Sequence, residues 1–259
     1  MSVVMTFNSV TSTTMGLTII DVQKPIMPPQ NETTIDIPKY PGITQFSKKF
    51  INNTITVKGV LIGTSTADLV TKLEALGAYL YSDTDKTLSF DDQTDRDWQA
   101  QHIDTVIVAR TYRFCFLDLI FKCNDPFAYD TTPTTDSQNI TVKDTTYVVA
   151  NGGQYYAYPT VTITFNATQT HVYVANNSIS GNRFDISKAF QISDVLVIDC
   201  KNGTIKLNGV NSPAGFGDGG LTLAEWIILA TGNNSLQVGT DDATINITIA
   251  LSFDKPYLY

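Results

Sequence analysis

A chain of 259 residues with 25 acidic side chains against 17 basic ones, a net charge of −8, has no clustered Lys/Arg footprint for a nucleic-acid duplex or an anionic membrane surface. Charged residues make up 16% of it, where a globular domain carries about 25%, so the polar surface is built from Thr, Asn, Ser and Gln. Thr suits a solvated sheet face, and with 13 Phe and 12 Tyr the composition points to β-sheets, in one large or two medium domains.

Residues 3–7 read as a short strand and 18–22 as a second. Lys24-Pro25 and Pro28-Pro29 exclude a central strand between them and the alternating stretch 33–37. Pro38, Lys39, Tyr40, Pro41 and Gly42 form an irregular loop. Residues 49–62 read as one long strand, with Ile51, Ile55, Val57, Gly59 and Leu61 on the buried parity. Leu69, Val70, Leu73, Leu76 and Leu80 recur at helical spacing, and Ser65 three residues before Asp68 predicts the helix start. The helix is expected to end near Tyr81-Ser82-Asp83 and to cover one face of the sheet.

Strands resume at 87–90, 98–104 and 106–110. The run 112–123 is apolar on nearly both faces and is expected at the centre of a sheet covered on both sides. Residues 130–138 contain no apolar side chain and mark the domain boundary, dividing the chain into 1–132 and 133–259. Short strands follow at 140–150, 160–165, 171–175, 183–186, 195–200, 204–207, 236–238 and 243–251, with a tight-turn signal at Asn202-Gly203. Residues 221–230 fit either a strand or one short helix. Strands of this length with turns between them imply a second β-sandwich.

No arrangement for catalysis emerges. The two histidines, His102 and His171, fall in different predicted domains, and no Gly-x-Ser-x-Gly elbow exists. Cys115, Cys123 and Cys200 are odd in number and lack Cys-x-x-Cys spacing, so buried free thiols are expected and no zinc site. The acidic cluster Asp83, Asp85, Asp91, Asp92, Asp95 and Asp97 never enters the calcium-loop frame, and solvated turns account for it. A cell-wall hydrolase would need a carboxylate pair such as Asp91 and Asp97, which the spacing does not single out. The segment 215–220 matches Gly-x-Gly-x-x-Gly but lacks the strand and helix that a dinucleotide site needs. No cofactor is therefore expected. No stretch approaches the ~20 apolar residues of a membrane span, and residues 1–10 have no basic and apolar leader pattern. Tyr155, Tyr156 and Trp226, with Tyr158, are the candidates for sugar or partner contact in the second domain.

The order of these features resembles the distal tail proteins (Dit) of long-tailed siphophages. The likeness in the first half rests on Pro28-Pro29, the segment Ile37-Pro38-Lys39-Tyr40-Pro41-Gly42-Ile43, the strand through Thr56-Val57-Lys58-Gly59, the helix, Leu88-Ser89-Phe90-Asp91-Asp92, and Phe121-Lys122-Cys123-Asn124-Asp125-Pro126-Phe127. In the second half it rests on Asn151-Gly152-Gly153, Tyr158-Pro159-Thr160-Val161, Val197-Ile198-Asp199-Cys200, Leu207-Asn208-Gly209, Gly232-Asn233-Asn234 and the closing Tyr257-Leu258-Tyr259. The closing strand departs from relatives in lacking a basic, Trp-rich ending.

The resemblance implies a mainly β fold with a tail-tube-like N-terminal sandwich carrying one helix and a galectin-like C-terminal sandwich. It implies a homo-hexameric ring around a channel through which DNA passes. That ring would join the tail-tube protein to the tail fibre or tail-associated lysin, and a receptor-binding protein could sit on the outer domain. Pro38 to Gly42 are the loop assigned to ring contact. The expected location is the virion tail tip, after assembly in the host cytoplasm, and the expected role is structural, not enzymatic. The alternative is a carbohydrate- or receptor-binding module acting through the second domain.

Overall fold

The computed structural model describes residues 3–36, 42–211 and 221–259. The chain divides into two units, Met1–Thr131 with Tyr257–Tyr259, and Thr132–Pro256.

The first unit contains β1 (Met5–Phe7), β2 (Val10–Thr11), β3 (Leu17–Gln23), β4 (Gln30–Asp36), β5 (Ile43–Phe50), β6 (Asn53–Ile62), α1 (Thr66–Leu80), β7 (Lys86–Phe90), β8 (Gln93–Arg110), β9 (Phe114–Cys123) and β10 (Ala128–Asp130). The main sheet runs β2-β1-β7-β8-β9-β6-β3, with β10 against β8. Where sequence alone suggests two strands, at 98–104 and 106–110, a single 18-residue strand β8 runs through. Its register slips between His102 and Asp104 and again between Ile107 and Ala109. Each bulge inverts the side-chain parity, which is why the pattern reads as broken.

The predicted strand 49–62 is instead two elements. Among the described residues β4 and β5 pair only with each other, the Ile51 N–H closes this ribbon on the Pro29 carbonyl at 2.9 Å, and β6 starts at Asn53. Ile51 is therefore exposed instead of buried. Within β6 the expected parity holds, with Ile55, Val57 and Leu61 buried against β9. Gly59 leaves room for Leu17: a Cβ there would stand 2.8 Å from Leu17 Cδ1 and 3.2 Å from the Thr18 carbonyl oxygen, so Leu17 would have to shift.

α1 begins as predicted. The Ser65 hydroxyl accepts the Asp68 N–H at 3.1 Å, and Asp68 Oδ2 accepts the Thr64 N–H at 2.7 Å. Those bonds from Thr64 hold the Asp68 carboxyl below its usual pKa. Leu69, Leu76 and Leu80 face the core, whereas Val70 is exposed because it lies off that stripe. Tyr79 anchors the helix: its hydroxyl accepts the Phe7 N–H at 3.1 Å and donates to the Val10 carbonyl at 2.5 Å. Burial pushes that phenol up to about 12.

The second unit is a sandwich of two antiparallel sheets. Its strands are β11 (Thr134–Ile140), β12 (Thr145–Asn151), β13 (Thr160–Phe165), β14 (Gln169–Asn176), β15 (Arg183–Phe190), β16 (Val195–Asp199), β17 (Thr204–Leu207), β18 (Val210–Asn211), β19 (Leu221–Ala224), β20 (Gly232–Gly239) and β21 (Ile247–Phe253). One sheet runs β11-β21-β13-β16-β17-β18, the other β12-β20-β14-β15-β19. Inward residues of both, such as Ile163, Ile249, Val174 and Phe184, form one core. The final strand β22 (Pro256–Tyr257) pairs with β10.

Of residues 221–230, open between strand and helix in the sequence, 221–224 form β19, and 225–230 are irregular apart from the Leu229 bridge to Ala157, held largely by side-chain amides. Asn182 receives the Ile228 N–H at 3.0 Å and donates to the Trp226 carbonyl at 2.8 Å; Asn176 donates to the Ile228 carbonyl at 2.7 Å; Asn234 accepts the Ala230 N–H at 2.8 Å. These buried amides stand in for a ladder and let Ile227 and Leu229 enter the core.

Candidate assembly surface

The first half of β8 lies between β7 and β10, and Trp98 and Ala100 are buried there. β7 begins at Lys86, opposite Ala100. Past that point only β9 pairs with β8 among the described residues, so residues 101–110 have one open edge. Ile103 and Ile107 are each 53% exposed, Val106 45% and Val108 61%. A run that is apolar on both parities is the pattern of a covered strand, yet no described element covers it.

β9 corrects the expectation of a doubly covered strand in the same way. Cys115, Leu117, Leu119, Phe121 and Cys123 are buried, but Phe114 and Phe116 on its other face are exposed. A single chain supplies one covering layer, and the second apolar face is left to solvent. A contiguous exposed apolar patch beside an unpaired strand edge marks an interaction surface.

Beside this edge runs a groove of about 660 Å³ between α1 and β8, lined by Leu73, Leu76, Leu80, Tyr81, Asp83, Ile103 and Ile107. His102 also lines it. Its Nε2 lies 2.7 Å from Thr105 Oγ1, and its ring meets Phe121 edge-on at 5.5 Å. Burial holds its pKa below the usual histidine value, ahead of the opposing effect of Asp104. His102 is thus bonded to Thr105 of its own strand.

The loop assigned to ring contact connects β4 and β5. Pro38, Lys39, Tyr40 and Pro41 lie outside the described residues; Gly42 is exposed at φ +101°, a conformation that favours glycine. On the ribbon itself Ile35 is 46% and Phe46 65% exposed, and Lys48 meets Glu32 at 3.5 Å.

In the second unit, Tyr155 and Tyr156 pair edge-to-face at 5.2 Å, and Tyr156 and Tyr158 are exposed. Trp226 does not join them. It is half-buried, packs on Phe184 with ring centroids 5.8 Å apart, and closes over Gly203 of the tight turn. His171, almost fully buried, accepts the Asp241 N–H at Nδ1 (3.1 Å) and donates from Nε2 to Asp185. Arg183 caps the same carboxylate at 2.7 Å while stacking on the Tyr173 ring at 3.8 Å. Burial pushes the Asp185 carboxyl up, but the bonds from His171 and Arg183 outweigh it and leave the pKa lowered. The pairing of β14 with β15, which sets Tyr173 opposite Asp185, brings these side chains together, and no local sequence pattern reports that register.

The acidic cluster disperses into local contacts: Asp92 pairs with Lys24 at 3.0 Å, Asp91 accepts the Val4 N–H at 2.8 Å, and Asp85 accepts from Asn124 at 3.0 Å. Lys24 Nζ also sits over the Phe90 and Trp98 rings at 4.5 and 5.2 Å. No group of three His, Cys, Asp or Glu side chains among the described residues could hold a metal ion. The glycine-rich segment 215–220 lies outside the described residues. No described helix is long and apolar enough to cross a membrane.

Comparison with known proteins bears on both units. Residues 11–113 match the family model of the phage tail protein RIFT-related domain, and residues 152–257 that of the C-terminal domain of the siphovirus-type tail component. The distal tail protein of Bacillus phage SPP1 is 27% identical over 199 residues, 75% of this chain and 74% of that protein. The crystal structure of SPP1 Dit, described as a paradigm of the hub of the adsorption apparatus in phages infecting Gram-positive bacteria, superposes with a TM-score of 0.79 at 18% identity. That match spans 98% of this chain and 99% of the other.

Proposed function

The chain belongs to the siphophage distal tail protein family, and from that premise we propose that it is the hub at the distal end of a phage tail, closing as a hexameric ring around a DNA channel. The observation that carries the ring is the uncovered second half of β8. A heterologous contact on such a surface repeats from copy to copy and closes when the rotation allows. The family resemblance supplies six copies. The first unit is the ring-forming, tail-tube-like domain, and the second is a galectin-like sandwich.

One ring face receives the last tail-tube subunits, the other the tail fibre or tail-associated lysin, and the outer domain offers a seat for a receptor-binding protein. Assembly precedes release, in the host cytoplasm, and the finished site is the virion tail tip. A net charge of −8 suits a channel that DNA traverses without sticking, since like charges repel. This role asks no catalytic chemistry of the chain. Electron micrographs of the purified protein test it: six-fold rings with an open centre are expected, and fields of single particles without a ring would contradict it.

A second reading attaches to the exposed Tyr156 and Tyr158, which present aromatic faces that a sugar ring can stack on. If the second unit binds host wall sugars, Tyr156→Ala abolishes glycan-array binding while the protein stays folded. Absence of binding by the unaltered protein removes this reading. Trp226→Ala is a poor probe, because Trp226 packs on Phe184 and its loss destabilises the sandwich.

A further inference from the structure

His171 sits on the face of β14 opposite the core residues Val172 and Val174, yet it is almost fully buried, with the turn 240–242 bonded across it. Both ring nitrogens are used. Nε2 donates to Asp185, and Nδ1 accepts the Asp241 N–H at 3.1 Å. A backbone N–H can only donate, so Nδ1 carries a lone pair and the ring is neutral in this arrangement. The Asp241 carboxylate stands beside the same nitrogen, with Oδ2 3.4 Å away, and is 84% exposed.

The other charged groups around the ring come from three elements. Arg183 and Asp185 of β15 pair with each other at 2.7 Å. Tyr173 of β14 lies with its ring 6.2 Å from that of His171 and bonds to Asp144. Asp242, next in the turn, accepts the Thr170 N–H at 2.6 Å. Burial raises the Asp242 carboxyl, but the bonds from Thr170 and Thr240 outweigh it and leave its pKa lowered, so it keeps its charge on mild acidification. β20 contributes no titratable side chain, Lys188 of β15 acts on Asp194, and Glu225 lies toward Gly181.

We propose that His171 is a proton switch for the turn 240–242: a proton taken up at Nδ1 expels the Asp241 N–H and draws in the Asp241 carboxylate as the new partner. The neutral ring satisfies both its nitrogens but leaves that carboxylate facing an uncharged group. The protonated ring sets two cations, His171 and Arg183, against two carboxylates, Asp185 and Asp241. Two N–H groups cannot point at each other across 3.1 Å, so the peptide between Thr240 and Asp241 turns away. The move stays local. Thr240 Oγ1 donates to the His171 carbonyl at 2.6 Å and Asp242 holds Thr170, so both flanks of that peptide remain anchored to β14. On acidification the second unit gains a positive charge and withdraws an exposed carboxylate. The switch involves this unit alone and holds with or without ring closure.

Amide hydrogen exchange of the full-length protein tests it, read by mass spectrometry with fragmentation to the Asp241 amide at about pH 7.5 and about pH 5.5 and corrected for the intrinsic rate. Protection of that amide is expected to fall about fivefold at the lower pH, the factor one net hydrogen bond contributes. Amides of β13 are expected to keep theirs. In His171→Gln, whose side chain does not titrate but still offers an acceptor to the Asp241 N–H, protection is expected to be equal at both pH values. Asp241→Asn, at an exposed position, removes the carboxylate that receives the new N–H, and the loss of protection is expected to begin at lower pH. Equal protection at both pH values in the unaltered chain would overturn the inference. So would a loss of the same size in His171→Gln, which would trace it to another group. Where circular dichroism shows His171→Gln unfolded, Asp241→Asn decides: a loss with unchanged pH dependence overturns the exchange of partners.

Discussion

Burial decides the chemistry available to individual side chains. Cys115, Cys123 and Cys200 are all buried, and desolvation pushes the thiols of Cys123 and Cys200 up to about 12. The thiolate is the reactive form, so a chromogenic disulfide reagent at about pH 8 is expected to find no fast thiol in the native chain and three after denaturation. Fast modification of any one of them would show that the packing around it is wrong. Protonation offers a second check. His102 titrates lower in the folded chain than its ordinary value because it is partly desolvated, and Asp185 titrates lower because His171 and Arg183 hold its charged form. For both, the unfolded chain binds more protons between the two pKa values, so stability rises with pH through that window. Thermal stability is therefore expected to fall as pH drops below about 6.5 for His102 and to fall further below about 4 for Asp185. His102→Asn should flatten the upper step, and a melting curve that shows no such step rejects its assignment. Asp185→Asn removes the carboxylate charge and turns one of its two acceptor oxygens into an amide donor, so either His171 or Arg183 loses its acceptor, and it is expected to cost about 1–3 kcal/mol by chemical denaturation at neutral pH.

At the scale of elements, α1 is the clearest link from sequence to fold. Ser65→Ala removes the acceptor of the Asp68 N–H and is expected to cost about 1 kcal/mol, measured as a shift in denaturation midpoint. No shift would show that the cap is replaced by Thr64 and water. The helix was legible because both its signals, a Leu stripe and a capping pair, are local. The strands were legible in number but not in register. β8 read as two strands because its bulges invert parity at His102 and Ile107, and 49–62 read as one because nothing local shows Phe50 turning away from Asn53. The irregular segment 225–230 is undecidable from its own residues, since its partners Asn176, Asn182 and Asn234 come from elsewhere in the sandwich. Trp226 read as a contact residue for the same reason: its neighbour Phe184 is 42 residues away in the chain, and no periodicity reports that distance.

For the whole molecule, the most informative misfit lies in β8 and β9. Their sequence has the composition of strands covered on both faces, yet one chain covers a single face. An apolar pattern of this kind, left exposed on one face, is what makes β8 and β9 the candidate assembly surface. The loop Pro38 to Gly42 is the ring contact expected from sequence, and residues 38–41 lie outside those described; among the described residues the candidate surface is the open β8 edge. Native mass spectrometry of the purified full-length chain at tens of micromolar tests this account most directly. A dominant species at six times the 28.4 kDa chain mass is the predicted result. A spectrum of monomer alone would contradict it.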